Sequence, residues 1–407
     1  MNYRDSRSLF GLRILRQALS FFLLIFPSAE LIHAQPGTPD NAPDMEGYLQ
    51  PAFAELARQI KKEPTNPALY VRRSNLYMQI YVVASRGPQR VSYMEKALAE
   101  LSAAIEVKPT AEAYNARTRC HHSAWYDMYP PPEDVKAIVD FFVNDRYIEE
   151  MKSDLLNSIR LDQSNENLAS AFGWLSRLYL ERAENLSKPA VMRELRAQGG
   201  GFSVWDVFDT AIEYARKATR HGSYRADVAD LYAAKGRAAN ELGEYDSALE
   251  TFANGEEYAR DDVTCRYYSA WGEAYMGKQM FAQARKTFTK GILSSEVNCR
   301  FLLERRADAF VMEGKLQNAL LDYTALWDKS DCCKDGLSIK RAKIYLKLNE
   351  PEKALADLDY AIEHYGICPQ GYLLRAETYK LLGEFKKASK DEQQAYIFRS
   401  RSDCTVY

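Results

Sequence analysis

At 407 residues the chain is longer than one compact core usually supports. Its formal net charge is −2, so the balance calls for neither nucleic acid nor an anionic membrane surface as partner. With 27 tyrosines it is rich in rings suited to wedging between paired helices.

The first residues differ in kind from the rest. Arg4, Arg7, Arg13 and Arg16 precede the apolar run Ala18–Phe26, followed by Pro27, Ser28 and the small Ala34 before Gln35. Basic, then apolar, then small residues predict a secretory signal over 1–34, cleaved after Ala34. The alternative is an uncleaved anchor, but a run of nine residues falls well short of the about 20 needed to span a bilayer. No cysteine follows the run, which argues against a lipid anchor. The mature chain is therefore expected to be exported, periplasmic or secreted, with no stable membrane insertion. Residues 35–65 read as a leader carrying Pro36, Pro39 and Pro43, unstructured to about residue 50, and then a lead-in helix.

Three long helix pairs are predicted over 66–223. The first, Pro67–Pro109, carries Tyr70, Ser74 and Tyr77, then Ala97, Leu101 and Ala104, with an insertion around 80–89. The second, Ala111–Gln163, pairs Tyr114, Thr118 and His121 with Met151, Leu155 and Ile159. Its insertion holds Trp125, Tyr126, Tyr129 and Pro130-Pro131-Pro132. The third sets Phe172, Ser176 and Tyr179 against Ala211, Ala215 and Ala218, its insertion ending near Gly199-Gly200-Gly201. All three insertions fall at the same turn, so they are expected to project from one edge.

Five short pairs follow over 224–400, before a tail at 401–407. In Lys340–Glu363 the apolar spacings Ala342/Tyr345 and Leu355/Leu358/Ala361 make one face on each of two helices, broken by Asn349-Glu350-Pro351. The second-helix alanine recurs as Ala248, Ala284, Ala319, Ala354 and Ala388, at steps of 36, 35, 35 and 34. The first-helix aromatic recurs as Tyr275, Phe310, Tyr345 and Tyr379, and Gly243, Gly314 and Gly383 take the turn. A lone hairpin of this size cannot bury its apolar side, so it must stack on another of its kind.

This pattern resembles the tetratricopeptide repeat, with its period of 34, small residue, aromatic and second-helix alanine. The resemblance covers roughly 66–400 and is specific over 229–400. It implies an all-α, right-handed α-solenoid of about eight antiparallel helix pairs, and a scaffold that binds protein or peptide.

Two patterns run in phase with the repeats. Arg73, Arg117, Arg306, Arg341 and Arg375 precede the small first-helix residue, and Glu100, Asp154, Asp322, Asp357 and Asp391 occupy the matching second-helix position. The other repeats have Leu175, Lys235 and Trp271, facing Tyr214, Thr251 and Thr287. The two positions change together, which predicts an ion pair inside each repeat rather than a ligand site. Cys265, Cys299, Cys333, Cys368 and Cys404 also recur in phase, each in the connection before a first helix, whereas Cys120 lies within one. If the compartment is oxidising, Cys265–Cys299 and Cys333–Cys368 are the first candidate disulfides. The bland alternative is a loop position that tolerates a small apolar residue.

No phosphate-loop, dinucleotide, zinc-protease or nucleophile-elbow signature is present. No enzyme activity, cofactor or metal is expected. The resemblance puts partner contacts on the concave face of the first helices: Asp230, Arg237, Arg266, Glu273, Glu304, Arg305, Asp308, Lys340, Lys343, Lys347, Glu377 and Lys380. That groove is expected to be acidic near Glu304 and Asp308 and basic from Lys340 to Lys347. The family's lysine–asparagine clamp for a C-terminal carboxylate is not implied, because Ser269, Glu273, Arg305, Gly336 and Lys340 stand at its positions. An alternative site is the aromatic insertion, His122, Trp125, Tyr126 and Tyr129, as a glycan platform or, less favoured, a metal or enzyme site. The bland reading of His121 is that it replaces the repeat's usual aromatic.

Overall fold

The computed structural model describes residues 45–399, apart from short connections at 85–86, 128–129, 131–132, 144–145, 200–201, 223–224, 260–263, 295–298, 330–333 and 366–368. The predicted signal over 1–34 lies outside the described residues. The described residues are helical, with no strand among them. The leading helix α1 is Met45–Lys62. Paired helices follow: α2 (Pro67–Val83) with α3 (Pro88–Val107), α4 (Ala111–Asp127) with α6 (Arg146–Leu161), and α7 (Asn165–Leu186) with α9 (Val204–Arg220). Then come α10 (Arg225–Glu241) with α11 (Tyr245–Gly255), α12 (Thr264–Gly277) with α13 (Phe281–Ser294), and α14 (Arg300–Met312) with α15 (Leu316–Lys329). The last pairs are α16 (Lys334–Lys347) with α17 (Pro351–Tyr365), and α18 (Pro369–Leu381) with α19 (Phe385–Arg399). Two short helices, α5 (Val135–Val143) and α8 (Pro189–Ala197), lie inside the second and third insertions.

Local chemistry sets the ends. Asn66 Oδ1 accepts from the Ala68 N–H ahead of Pro67, a proline in the first turn where its missing donor costs nothing. Ser164 and Ser203 cap α7 and α9 in the same way. The short turns use a left-handed residue: Gly243, Gly314 and Gly383 at φ 74, 74 and 77°, and Gln279 and Asn349 at 58 and 59°. The next N–H then bonds back five residues, as from Lys315 to the Phe310 carbonyl at 2.9 Å, satisfying a helix-end acceptor.

Several expectations change. Residues 45–50 are helical rather than unstructured: α1 starts at Met45, Leu49 is buried, Phe53 meets Tyr77 at 4.7 Å, and the Tyr93 hydroxyl donates to Glu46. That packing holds α1 helical through Pro51. The first insertion is absorbed mainly by lengthening α2 and α3 to 17 and 20 residues, against 13 to 15 in the helices of the last three pairs. The second and third insertions do not project separately, because α5 packs on α8 and α7. Ile138, Val139 and Phe142 of α5 and Val191 and Met192 of α8 enter the core shared by the second to fifth pairs. Arg182 of α7 donates to the Phe142 and Val143 carbonyls at 2.6 and 2.9 Å, capping the end of α5 with a cation.

All five arginine–carboxylate pairs form. Four are two-pronged, such as Arg117 on Asp154 at 2.8 and 2.6 Å and Arg306 on Asp322 at 2.8 and 2.7 Å; Arg73 reaches Glu100 at 2.7 Å through one nitrogen. Where the small first-helix residue is glycine, the residue sixteen later is phenylalanine. A Cβ on Gly272 would stand 2.1 Å from the Phe288 ring, and one on Gly236 2.3 Å from Phe252. Ala342 meets the smaller Leu358 in the same core cluster. Cys265 and Cys299 form a disulfide with Cα atoms 5.5 Å apart, tying the starts of α12 and α14. Cys333 and Cys368 lie outside the described residues.

Three stability measurements follow from this packing. Arg341→Met leaves Asp357 unpaired where the two side chains are 12% and 10% exposed, and is expected to cost about 3–5 kcal/mol in urea unfolding. Adding Asp357→Leu should recover most of that loss, because it removes the stranded charge. Gly272→Ala should cost about 1–3 kcal/mol by overpacking, and Gly272→Ala with Phe288→Leu should restore the midpoint. Opening the 34-residue loop by Cys265→Ala with Cys299→Ala should cost about 3–4 kcal/mol on the chain-entropy estimate. Thiol titration of unreduced protein should find fewer than seven thiols.

Candidate interaction surface

Stacking decides which side of the array is the inside. Each second helix packs on its own first helix and, at every step, on the first helix of the next pair. Consecutive first helices also touch at most steps, whereas consecutive second helices make no comparable contact among the described residues. Helices that approach one another line the inside of a curve, so the first helices form the inner wall.

On that wall the expected groove charges are partly spent on one another. Lys340 Nζ donates to Glu304 Oε1 at 2.8 Å and Asp308 Oδ1 at 3.0 Å, and the Tyr323 hydroxyl donates to Asp308. Burial works against the Lys340 charge, but Glu304 and Asp308 outweigh it and hold its pKa above the ordinary lysine value. The expectation of an acidic patch beside a separate basic patch is corrected: Lys340 belongs with the acids and neutralises them. The reason is reach, since a four-carbon stem spans the gap to the preceding first helix. Arg305 pairs with Glu273 at 3.3 Å, and Lys380 bonds Glu392 of its own second helix. Lys343 and Lys347 are exposed and make no ion pair among the described residues. On neighbouring first helices, Phe301 and Met312 share a stripe with Asp308, and Leu373 and Leu381 share one with Glu377; all four apolar residues are exposed.

The N-terminal half of the wall holds residues that the sequence reading passed over. One position after the small residues Ser74, Thr118 and Ser176 stand Asn75, Arg119 and Arg177, in phase with the expected Arg237. Arg177 donates to Glu181 at 3.0 Å, and His122 Nε2 lies 3.1 Å from the other Glu181 oxygen. Burial opposes the Glu181 charge, yet His122 and Arg177 outweigh it and hold its pKa below the ordinary carboxylate value. Arg237 faces Glu184 and Asp230; burial pushes both carboxyls up, with Arg237 pulling each back and Arg266 helping at Asp230. Arg119 has no ion pair among the described residues. The signal was available: the insertions come after this position, so the offset that picks out Arg237 also reaches Arg119 and Arg177.

The aromatic insertion is corrected as a glycan platform. Trp125 is 1% exposed, stacked on Phe141 at 5.7 Å and edge-on to Phe142 at 5.4 Å. An amphipathic helix brought down by the insertion has covered the ring that a sugar would need. His122 is buried too, edge-on to Trp174 at 5.1 Å. His121 meets Tyr147 edge-on at 5.7 Å and lies 3.8 Å from Glu150, taking the place of the repeat's aromatic. The Tyr126 side chain and Tyr129 lie outside the described residues. Burial pushes the Cys120 thiol up to about 12, so it stays protonated at neutral pH. No group of three or more His, Cys, Asp or Glu among the described residues could hold a metal ion.

No family model matches the chain. Hsc70-interacting proteins 1 and 2 of Drosophila melanogaster are each 29% identical over 117 residues, a match that spans 28% of this chain and 30% of theirs. Among solved structures, a MamA protein is 15% identical with a TM-score of 0.38, covering 44% of this chain and 97% of its own. YrrB, described as a tetratricopeptide-repeat protein with an unusual peptide-binding site, is 17% identical with a TM-score of 0.37, covering 48% of this chain and 93% of its own. The repeats themselves decide the architecture: paired antiparallel helices recur at the 34-to-36-residue step with the small residue, aromatic and alanine in place. The chain is an all-α solenoid whose repeats carry the tetratricopeptide pattern.

Proposed function

We propose that this protein is an exported scaffold that binds protein or peptide partners along the inner wall of its array. Export rests on the basic–apolar–small pattern of residues 1–34, and no helix among the described residues is long and apolar enough to cross a membrane. The observation that carries the binding reading is the surface of the last three repeats. There Lys343 and Lys347, without an ion pair among the described residues, stand between the exposed Phe301 and Met312 on one side and Leu373 and Leu381 on the other. Apolar side chains flanking free cations suit an amphipathic segment, whose apolar face buries area while its acids meet the lysines. The Drosophila relatives bear names that state an interaction with another protein, Hsc70, in keeping with this kind of role.

Affinity capture with residues 35–407, from the compartment in which the chain resides, tests the reading. Lys343→Glu with Lys347→Glu should lose most of the partners held by the wild-type chain, with an unchanged unfolding midpoint. Lys286→Glu, on a second helix, should lose none. Equal recovery by all three proteins would remove this part of the wall as the binding face.

A further inference from the structure

The outer side of the array carries a pocket where one repeat departs from the pattern of the others. Among the described residues, consecutive second helices do not pack on one another as first helices do, which leaves a furrow between them floored by the first helix. Between α3 and α6, over α4, this furrow holds a cavity of about 410 Å³. That volume falls within the range of about 300–1,000 Å³ that small-molecule sites occupy.

In the other repeats that carry the arginine–carboxylate pair, a cation of the chain itself stands over a ring at this place. The ring lies four residues after the arginine, and in three of the repeats the cation is a lysine four residues before the carboxylate. Lys96 Nζ is 5.8 Å from the centre of the Tyr77 ring, Lys353 Nζ 5.7 Å from Tyr345 and Lys387 Nζ 5.2 Å from Tyr379. In the sixth repeat Asn318 holds the lysine place, and Arg285 reaches over from the preceding second helix to lie 4.7 Å from the Phe310 ring. The second repeat changes both members: His121 stands in the ring's place and Glu150 in the lysine's, 3.8 Å apart. Leu98 stands where Arg285 does.

The chemistry of the pocket follows from that exchange. Arg117, at its floor, adds no net charge, because both of its prongs are on Asp154 at 2.8 and 2.6 Å. Glu150 keeps 34% of its side chain open to solvent and Ser153 is exposed beside it, so a ligand can reach both. Across the furrow the Ser102 hydroxyl accepts from Arg117 at 3.4 Å, and a hydroxyl oxygen has a second lone pair. One carboxylate and two hydroxyl oxygens thus line a cavity whose α3 side is the aliphatic Leu98. An ammonium has three N–H donors to match three such acceptors. A metal ion fits less well, since no group of three or more His, Cys, Asp or Glu among the described residues could hold one.

We propose that this outer pocket binds a small alkylammonium molecule, its charge on Glu150, its other N–H groups on Ser102 and Ser153, and its stem against Leu98 and the His121 ring. An external cation then takes the place that a lysine of the chain fills in the first, seventh and eighth repeats. The cavity is larger than one side chain needs, which favours a free amine over a lysine of another protein. The pocket opens away from the inner wall, so it does not depend on that wall binding partners.

The probe is n-butylammonium, titrated calorimetrically into residues 35–407 with n-butanol as its neutral match. Saturable binding of the amine that weakens with added salt is expected, with none of the alcohol. Glu150→Gln should weaken it by about tenfold or more, whereas Glu149→Gln, an exposed acid one residue away, should leave it unchanged. His121→Tyr with Glu150→Lys, which gives the second repeat the ring and lysine of the first, should abolish binding at an unchanged unfolding midpoint. Absence of saturable binding would overturn the pocket, as would an unchanged affinity in Glu150→Gln or an equal loss in Glu149→Gln. So would tighter binding of Nα-acetyl-lysine amide than of n-butylammonium, since the ligand would then be a protein side chain.

Discussion

The bond between a first-helix arginine and a second-helix carboxylate is the constraint that holds the register of most of this array. A hairpin fifteen residues to a side has too little apolar surface to fix how its helices slide, and a two-pronged guanidinium–carboxylate pair permits one offset. Three of these arginines reach further. Arg117 touches Ser102 at 3.4 Å, Arg306 Thr289 at 3.1 Å and Arg375 Asp359 at 2.7 Å, each on the second helix of the preceding repeat. One side chain thereby joins three helices, setting both the pairing within a repeat and the step to its neighbour. Its cost is desolvation, and the carboxylate offsets it. At Asp357 burial even outweighs Arg341 and pushes the carboxyl up, so a stranded Asp357 would tend to take a proton rather than stay charged.

Where the pair is missing, rings and aliphatic groups take over the same job. Leu175 is fully buried, Lys235 keeps the backward link, to Asp209, and Trp271 stacks among Phe252, Tyr268 and Tyr275. The first helices of these three repeats share the one large core that also takes in α5 and α8, whereas from α13 onward the apolar residues divide into small separate clusters. The array is thus stacked in two ways: by a continuous greasy core near the insertions, and by ionic bridges between small cores beyond them.

Legibility in the sequence follows the same division. The hairpins, their step and the ion pairs could be read because each regular repeat repeats the evidence, and because Arg and Asp vanish together at Lys235 and Trp271. The insertions could not, since a nine-residue helix such as α5 has too few turns for a period to stand out, and its partner α8 lies some fifty residues away. Trp125 misled for a related reason: aromatic density marks a sugar platform or a core equally well until something is known to lie over it. Lys340 misled because a groove position says where a side chain starts and not which neighbour it reaches. Arg119 was overlooked although its register was intact, because only the regular repeats were carried forward.

The two stacking modes also bear on where binding energy can be used. In a solenoid each unit is held by its neighbours alone, so small cores at the far end open more readily than a core shared by four repeats. A partner at Lys343 and Lys347 would lie across the loosely joined repeats and would have to order them, at an entropic cost subtracted from its affinity. The wall of the second repeat stands on the rigid part, its α4 already tied to Asn167 and Glu181 of α7. The insertions therefore act on the wall from behind: by burying Trp125, Phe141 and Phe142 beneath α4 and α7, they hold the helices that present it.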